Sequence, residues 1–135
     1  MLNHHSKLAI PLESLFITDY LRARPSTPPE TFRRLILNEY ELKEWGMPYT
    51  PADFDGCVTA KDFIDRAHEL YLHQHHKEVW GQKTPRFVRF GDLLKKNYPQ
   101  AKFIVVIRDP RAAVSSLIRS NVHHSNALFA ARRWQ

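Results

Sequence analysis

The sequence predicts an α/β fold with a parallel sheet, and three observations carry that prediction. Residues 101–108, Ala-Lys-Phe-Ile-Val-Val-Ile-Arg, contain five consecutive apolar positions rich in β-branching, the pattern of a central parallel strand covered on both faces. Asp109-Pro110 follows at once and opens a helix, because the aspartate can accept from free N–H groups and proline at the first helical position gives up no needed donor. Helical periodicities also alternate with short apolar runs along the chain. At 135 residues and 43% hydrophobic content, with 25% charged residues, the chain reads as one partial domain over residues 1–135 rather than a disordered or collagenous sequence. Only two strands are recognisable, whereas a stable sheet usually needs about four to six. The sheet is therefore read as incomplete and the chain as helix-rich.

In chain order, residues 7–11, Lys-Leu-Ala-Ile-Pro, suit a short strand that ends at proline and opens into a loop carrying Glu13 and Ser14. Ser26-Thr27-Pro28-Pro29-Glu30 offers caps, a first-turn proline and an early acid. Phe32, Leu35, Ile36 and Tyr40 then recur at helical spacing, so a single helix is expected to run as far as Gly46. Residues 47–56 have turn chemistry. A second helix begins at Thr59, with Asp62 three residues on, presents Phe63, Ile64, Ala67, Leu70 and Tyr71 on one face, and is expected to reach about Glu78. Thr84-Pro85 starts a further helix that closes near residues 97–99, with Gly91 a weak point in its middle. The helix after Asp109 should span Pro110 to Ser120, and a last one starts near Ser125.

Twenty Lys and Arg against fourteen Asp and Glu leave a net charge of +6, which suits an anionic partner. The lone cysteine, Cys57, excludes an internal disulfide or a cysteine zinc cluster. No apolar run is long enough to span a bilayer, and the first residues lack a secretory core, so a cytoplasmic location is expected. His73, His75 and His76 lack a Cys or close acid to complete a metal site and read as a solvated face; His123-His124 reads the same way. Arg22, Arg24, Arg33 and Arg34 are scattered without a nucleic-acid motif and read as solvated surface. Trp45, Trp80 and Trp134 read as packing anchors near helix ends.

In an open α/β sheet, ligands bind beyond the carboxyl ends of the strands, and there the strand ending at Ile107 delivers Arg108. Along the following helix Val114, Leu117 and Ile118 share one face, while Ala112, Ala113, Ser116 and Ser120 lie on roughly the opposite one. That small, lightly polar face allows close approach. With the Arg108 fork, the Ser116 hydroxyl and the first helical N–H groups it can cradle a phosphate or sulfate. On spacing alone Arg108 can equally pair with Asp109, and the small residues can pack on another helix.

Residues 103–116, Phe-Ile-Val-Val-Ile-Arg-Asp-Pro-Arg-Ala-Ala-Val-Ser-Ser, resemble the 3′-phosphate signature of sulfotransferases that use 3′-phosphoadenosine 5′-phosphosulfate, PAPS. Two further blocks lie in the same order: Ala9-Ile10-Pro11-Leu12-Glu13-Ser14 with Phe16 is similar to the family's short strand and acidic loop, and Trp80-Gly81-Gln82-Lys83-Thr84-Pro85-Arg86 to its Lys-Thr-Pro segment. Residues 25–79 match only in helical character. The resemblance implies an α/β, P-loop-NTPase-like sulfotransferase fold and transfer of a sulfuryl group from PAPS to a hydroxyl or amine acceptor. It assigns Arg108 and Ser116 to the 3′-phosphate, Glu13 to the general base and Lys83 to the charge that develops during transfer. PAPS is then a co-substrate, and no metal, nucleic acid or membrane segment is called for. Taken one at a time, Glu13 also suits a surface or capping acid, and Lys83 a solvated loop lysine.

The family places a loop of the form Pro-Arg-Ser-Gly-Thr-Thr, which holds the 5′-phosphosulfate, upstream of the region that Leu2-Asn3-His4 resembles. No such loop or preceding strand is present here. The expectation is a middle fragment, weakly active or inactive as it stands. Two alternatives remain open from the sequence: a non-catalytic nucleotide- or anion-binding module built on Arg108 and Ser116, and a basic nucleic-acid-binding fragment.

Overall fold

The computed structural model describes residues 2–120. The chain divides into two compact units, residues 1–101 and 102–135. In the first, β1 (Leu8–Ala9) is followed by α1 (Phe16–Leu21), α2 (Pro29–Ile36), α3 (Tyr40–Glu44), α4 (Ala60–Gln74), β2 (Val79–Trp80) and α5 (Gly91–Asn97), with 3-10 turns at Leu2–His4, Pro51–Phe54 and Pro85–Phe90. The second contains α6 (Pro110–Ser120). Helices joined by a small parallel sheet place the molecule in the α/β class.

β1 and β2 pair in parallel, Leu8 opposite Val79 and Ala9 opposite Trp80. The pairing continues past both ends: Lys7 O accepts from the N–H groups of Glu78 and Val79 at 2.9 Å each, and Gly81 N–H donates to Ala9 O at 2.9 Å. β1 lies where the sequence placed it. Its partner does not: the sequence expects a helix as far as about Glu78 and marks no strand after it, whereas β2 forms at Val79–Trp80.

α4 stops at Gln74, short of the expected Glu78. A Schellman turn ends it: Lys77 N–H reaches back to Leu72 O and His76 N–H to His73 O, with His76 in the left-handed region at φ 52°. Glycine usually fills that position, so its usual signal was absent. The start of α4 is as read, since Thr59 Oγ1 accepts from Asp62 N–H at 3.2 Å and an Asp62 carboxylate oxygen accepts from Thr59 N–H at 2.7 Å.

The single helix expected before Gly46 is two. Asn38 turns its side-chain amide onto Arg34 O at 2.8 Å, and Glu39 is extended, so α2 ends at Ile36 and α3 starts afresh at Tyr40. The break serves the core. Ile36, Leu42 and Trp45 are all buried, an arrangement one straight helix cannot give at spacings of six and nine, while Tyr40 points outward, 69% exposed. α1 was not expected at all, although Phe16, Ile17 and Tyr20 mark its buried face.

These faces converge on one core. Phe54, Phe63, Ile64 and Ala67 are fully enclosed, and a chain of rings runs Phe16, Tyr20, Phe32, Phe63, Phe54 with successive centroids 5.3–5.9 Å apart.

The central strand predicted over residues 101–108 is not formed. Residues 101–109 have no regular secondary structure, and Ile104, Val106 and Ile107 are 74%, 80% and 82% exposed. β-propensity measures how well a side chain fits a pleated, half-buried surface, and it needs paired neighbours to act on. Among the described residues the sheet consists of β1 and β2 alone. α6, by contrast, starts where predicted and runs to Ser120, the last described residue: Asp109 accepts from Arg111 N–H at 2.8 Å and Ala113 N–H closes on Asp109 O at 3.0 Å. The helix expected near Ser125, with Trp134 and His123-His124, lies outside the described residues.

Candidate active site at the strand ends

Two parallel strands side by side send their chains out at the same end, so the segments after β1 and β2 emerge as neighbours. Glu13 lies four residues beyond Ala9 and Lys83 three beyond Trp80, and Lys83 Nζ meets Glu13 Oε1 at 2.5 Å. Both side chains remain open to solvent, 70% exposed for the lysine and 49% for the glutamate. An exposed carboxylate–ammonium pair at the carboxyl ends of parallel strands is reachable by a ligand from outside.

The backbone beneath the pair is fixed, residue by residue. Leu12 O accepts from Ser14 Oγ at 3.0 Å and from Trp45 Nε1 at 3.2 Å. Ser14 N–H donates to Thr84 Oγ1 at 2.9 Å, in a buried bond that joins the two loops directly. Leu15 N–H donates to Glu41 Oε1 at 3.2 Å, so a side chain from α3 caps α1, whose own N-cap residue, leucine, has no side-chain acceptor. Burial is the main influence on the Glu41 carboxyl and raises its pKa, with the N–H groups of Leu15 and Phe16 opposing. With residues 12, 14 and 15 tied down, Glu13 is the one residue of the loop whose side chain reaches across to Lys83.

A second layer lies below. Gln82 Nε2 stands 3.0 Å from Ser14 Oγ and 2.8 Å from His68 Nε2, while His68 Nδ1 is 2.7 Å from Ile64 O. A carbonyl oxygen only accepts, so His68 carries its proton on Nδ1. Burial lowers its pKa to about 4, the bond to Ile64 O and the nearby Asp65 charge opposing, and the ring is neutral at physiological pH. Nε2 is therefore a bare acceptor. That sets the amide: its two N–H bonds go to His68 and Ser14, and Oε1 faces a buried environment without a hydrogen-bond partner among the described residues. An unmade acceptor of this kind costs about 1–3 kcal/mol. His68 is wholly enclosed, stacked on Trp80 at 4.0 Å and edge-on to Trp45 at 4.9 Å.

The other two predicted site residues belong to the second unit. Arg108 and Ser116 are both exposed, Arg108 just before the cap of α6 and Ser116 about 10 Å along the helix from Asp109 by ideal rise. Asp109 does not pair with Arg108: Arg111 holds it, Nη2 to Oδ2 at 2.7 Å, and this contact lowers the Asp109 pKa. The structure thus joins Glu13 to Lys83 and leaves the Arg108 fork outside the Asp109 pairing.

Elsewhere, Arg33 departs from the solvated reading. It is 22% exposed and donates to Pro51 O, Phe54 O and Asp55, tying α2 to the Pro51–Phe54 turn. Trp80 lies on β2 rather than at a helix end. His73, His75 and His76 are exposed, and among the described residues no group of three or more His, Cys, Asp or Glu could hold a metal ion. No described helix is long and apolar enough to cross a membrane.

The sequence reading missed His68 and gave Gln82 no role. Their signals were present: His68 follows Ile64 by four on the apolar face of α4, and Gln82 adjoins Lys83. The sequence pattern predicts Thr84 as a helix cap. It turns its hydroxyl to Ser14 instead, and only its carbonyl serves the following turn, accepting from Phe87 N–H.

Comparison with known proteins places the chain in a family. Residues 1–134 match the model described as the Sulfotransferase family. Over 63 residues the chain is 35% identical to Nodulation protein NoeE of Sinorhizobium fredii, a stretch covering 47% of this chain and 15% of that protein. No solved structure matches.

Proposed function

This chain belongs to the sulfotransferase family, and from that premise we propose that it takes part in transfer of a sulfuryl group from PAPS to a hydroxyl or amine acceptor. Glu13 acts as the general base, Lys83 steadies the charge that develops on the donor, and Arg108 with Ser116 binds the 3′-phosphate. The observation that carries this reading is the open ion pair between Glu13 and Lys83 at the ends of two parallel strands.

The chemistry asks for both partners. The acceptor O–H or N–H gives its proton to the Glu13 carboxylate while its lone pair forms the new bond to sulfur. The bond from sulfur to the bridging oxygen breaks, and the nucleoside bisphosphate 3′-phosphoadenosine 5′-phosphate leaves with the electron pair. Negative charge gathers on that bridging oxygen and on the sulfuryl oxygens, where an ammonium stabilises it without covalent chemistry, as in phosphoryl transfer. In the free protein each charge of the pair satisfies the other. Entry of donor and acceptor separates them, handing Lys83 to the donor and leaving Glu13 free to take a proton.

The test uses labelled PAPS and the protein as the cell makes it, with nucleotide binding followed by calorimetry. Glu13→Gln should abolish transfer while the product nucleotide still binds. Undiminished transfer by Glu13→Gln, or failure of the nucleotide to bind the wild-type protein, would overturn the proposal.

A further inference from the structure

The Glu13–Lys83 pair is exposed and made of flexible side chains, yet it sits on loops that come together from opposite ends of the first unit, 70 residues apart. Exposed ion pairs are weak and do not hold their own geometry. Something under them must. The two strands account for only part of this, since each is two residues long and ends before its loop begins. Beside the ion pair, the two segments are joined by Ser14 N–H to Thr84 Oγ1 and by the Gln82 amide to Ser14 Oγ.

Thr84 and Gln82 flank Lys83, and Ser14 follows Glu13, so each charged residue has its immediate neighbour in the clasp. Gln82 is the element with a defined sense. His68 is locked by the Ile64 carbonyl in the tautomer that presents a bare Nε2, and it can accept only from the nitrogen end of the amide. The same nitrogen then reaches Ser14 Oγ, whose own hydrogen goes to Leu12 O. Reversing the amide would set its oxygen against the His68 lone pair, so the orientation persists although Oε1 is left buried and unpartnered.

We propose that Gln82 is a positioning residue, an amide oriented by His68 that clasps Ser14 and so holds the Glu13 and Lys83 side chains within reach of each other. It touches neither substrate nor the reacting atoms. This inference rests on the functional reading above only for its consequence in turnover; the positioning itself is a statement about two side chains.

The experiment reads the positioning without needing activity. A water-soluble carbodiimide condenses a carboxylate and an amine in contact into an amide, with loss of water, and peptide mass spectrometry then quantifies the Glu13–Lys83 cross-link. The exposed Lys7–Glu78 pair, at 2.9 Å, serves as internal standard. Gln82→Met should lower the Glu13–Lys83 yield at least fivefold against that standard. Thr84→Val, which removes the acceptor of Ser14 N–H, should do the same should the methionine variant fail to fold, whereas Thr84→Ser should keep the wild-type yield. In the transfer assay, Gln82→Met should lower kcat at least tenfold with KM for PAPS changed less than twofold.

An unchanged cross-link in Gln82→Met or in Thr84→Val overturns the clasp whatever the assay shows, as does a loss of yield in Thr84→Ser equal to that in Thr84→Val. A cross-link that falls as expected in a protein whose wild type transfers no sulfuryl group supports the clasp and removes the sulfotransfer reading instead.

Discussion

Lys83 Nζ rests 2.5 Å from Glu13 Oε1 in an ion pair that spans 70 residues of sequence, while the residues beside them, Thr84 and Ser14, meet in a buried hydrogen bond at 2.9 Å. Charge is thus kept at the surface and its support below. The division separates what substitutions at the two levels should do.

At the surface, Lys83→Ala should change the free energy of unfolding in urea by less than about 1 kcal/mol, since exposed pairs contribute little. Its effect on sulfuryl transfer should be large, a hundredfold or more, in the range that positioned charge and proton-transfer groups supply. A stability loss that accounts for the lost activity would instead mark the lysine as structural.

Below the surface, His68 links stability to pH. Its folded pKa of about 4 lies under the ordinary value of 6.5. Above 6.5 the ring is neutral folded or unfolded, and its contribution is fully present. As pH falls from 6.5 toward 4 the unfolded chain takes up a proton that the folded one refuses, and about 3 kcal/mol of stability is lost. Urea unfolding of wild type and His68→Leu at pH 7.5 and pH 4 should show the difference between them shift by about that amount, to the disadvantage of the wild type in acid.

At the start of α6, Arg108, just before the helix, and Arg111, in its first turn, should separate in function. Arg111 is taken up by Asp109, whereas Arg108 is exposed and outside that pairing. Arg108→Ala should weaken binding of 3′-phosphoadenosine 5′-phosphate by about 10- to 100-fold, the worth of a charge-assisted contact, and should leave adenosine 5′-phosphate, which lacks the 3′-phosphate, unaffected. Arg111→Ala should preserve the preference between the two nucleotides in calorimetry.

In the core, Phe63→Ala should cost about 3–5 kcal/mol, because the ring is fully enclosed between Phe32 and Phe54. Thr59→Ala should cost about 1 kcal/mol through loss of the cap on α4. Denaturant midpoints that rank the two in the opposite order would contradict the packing described for α4.

Elements set by neighbours in the sequence were legible from it. The start of α4 was written in Thr59 and Asp62, and the start of α6 in Asp109 and Pro110, because a cap is chemistry between groups two or three residues apart. Glu13 and Lys83 were singled out through their motifs, but nothing local said that they meet. Nor could local pattern show that α2 and α3 are separate helices, that Val79 and Trp80 form a strand, or that residues 104–107 lie exposed outside the described strands. Those outcomes depend on partners far away along the chain: Leu42 and Trp45 seeking the core, and Lys7 O meeting Glu78 and Val79. The sequence by itself determined the caps, the apolar faces and the chemistry available at the strand ends. The tertiary structure alone decided which strand pairs with which, and through Ser14, Thr84, Gln82 and His68 it brought an acid and a base into contact, because hydrogen bonds between distant segments exist only once the core has drawn those segments together.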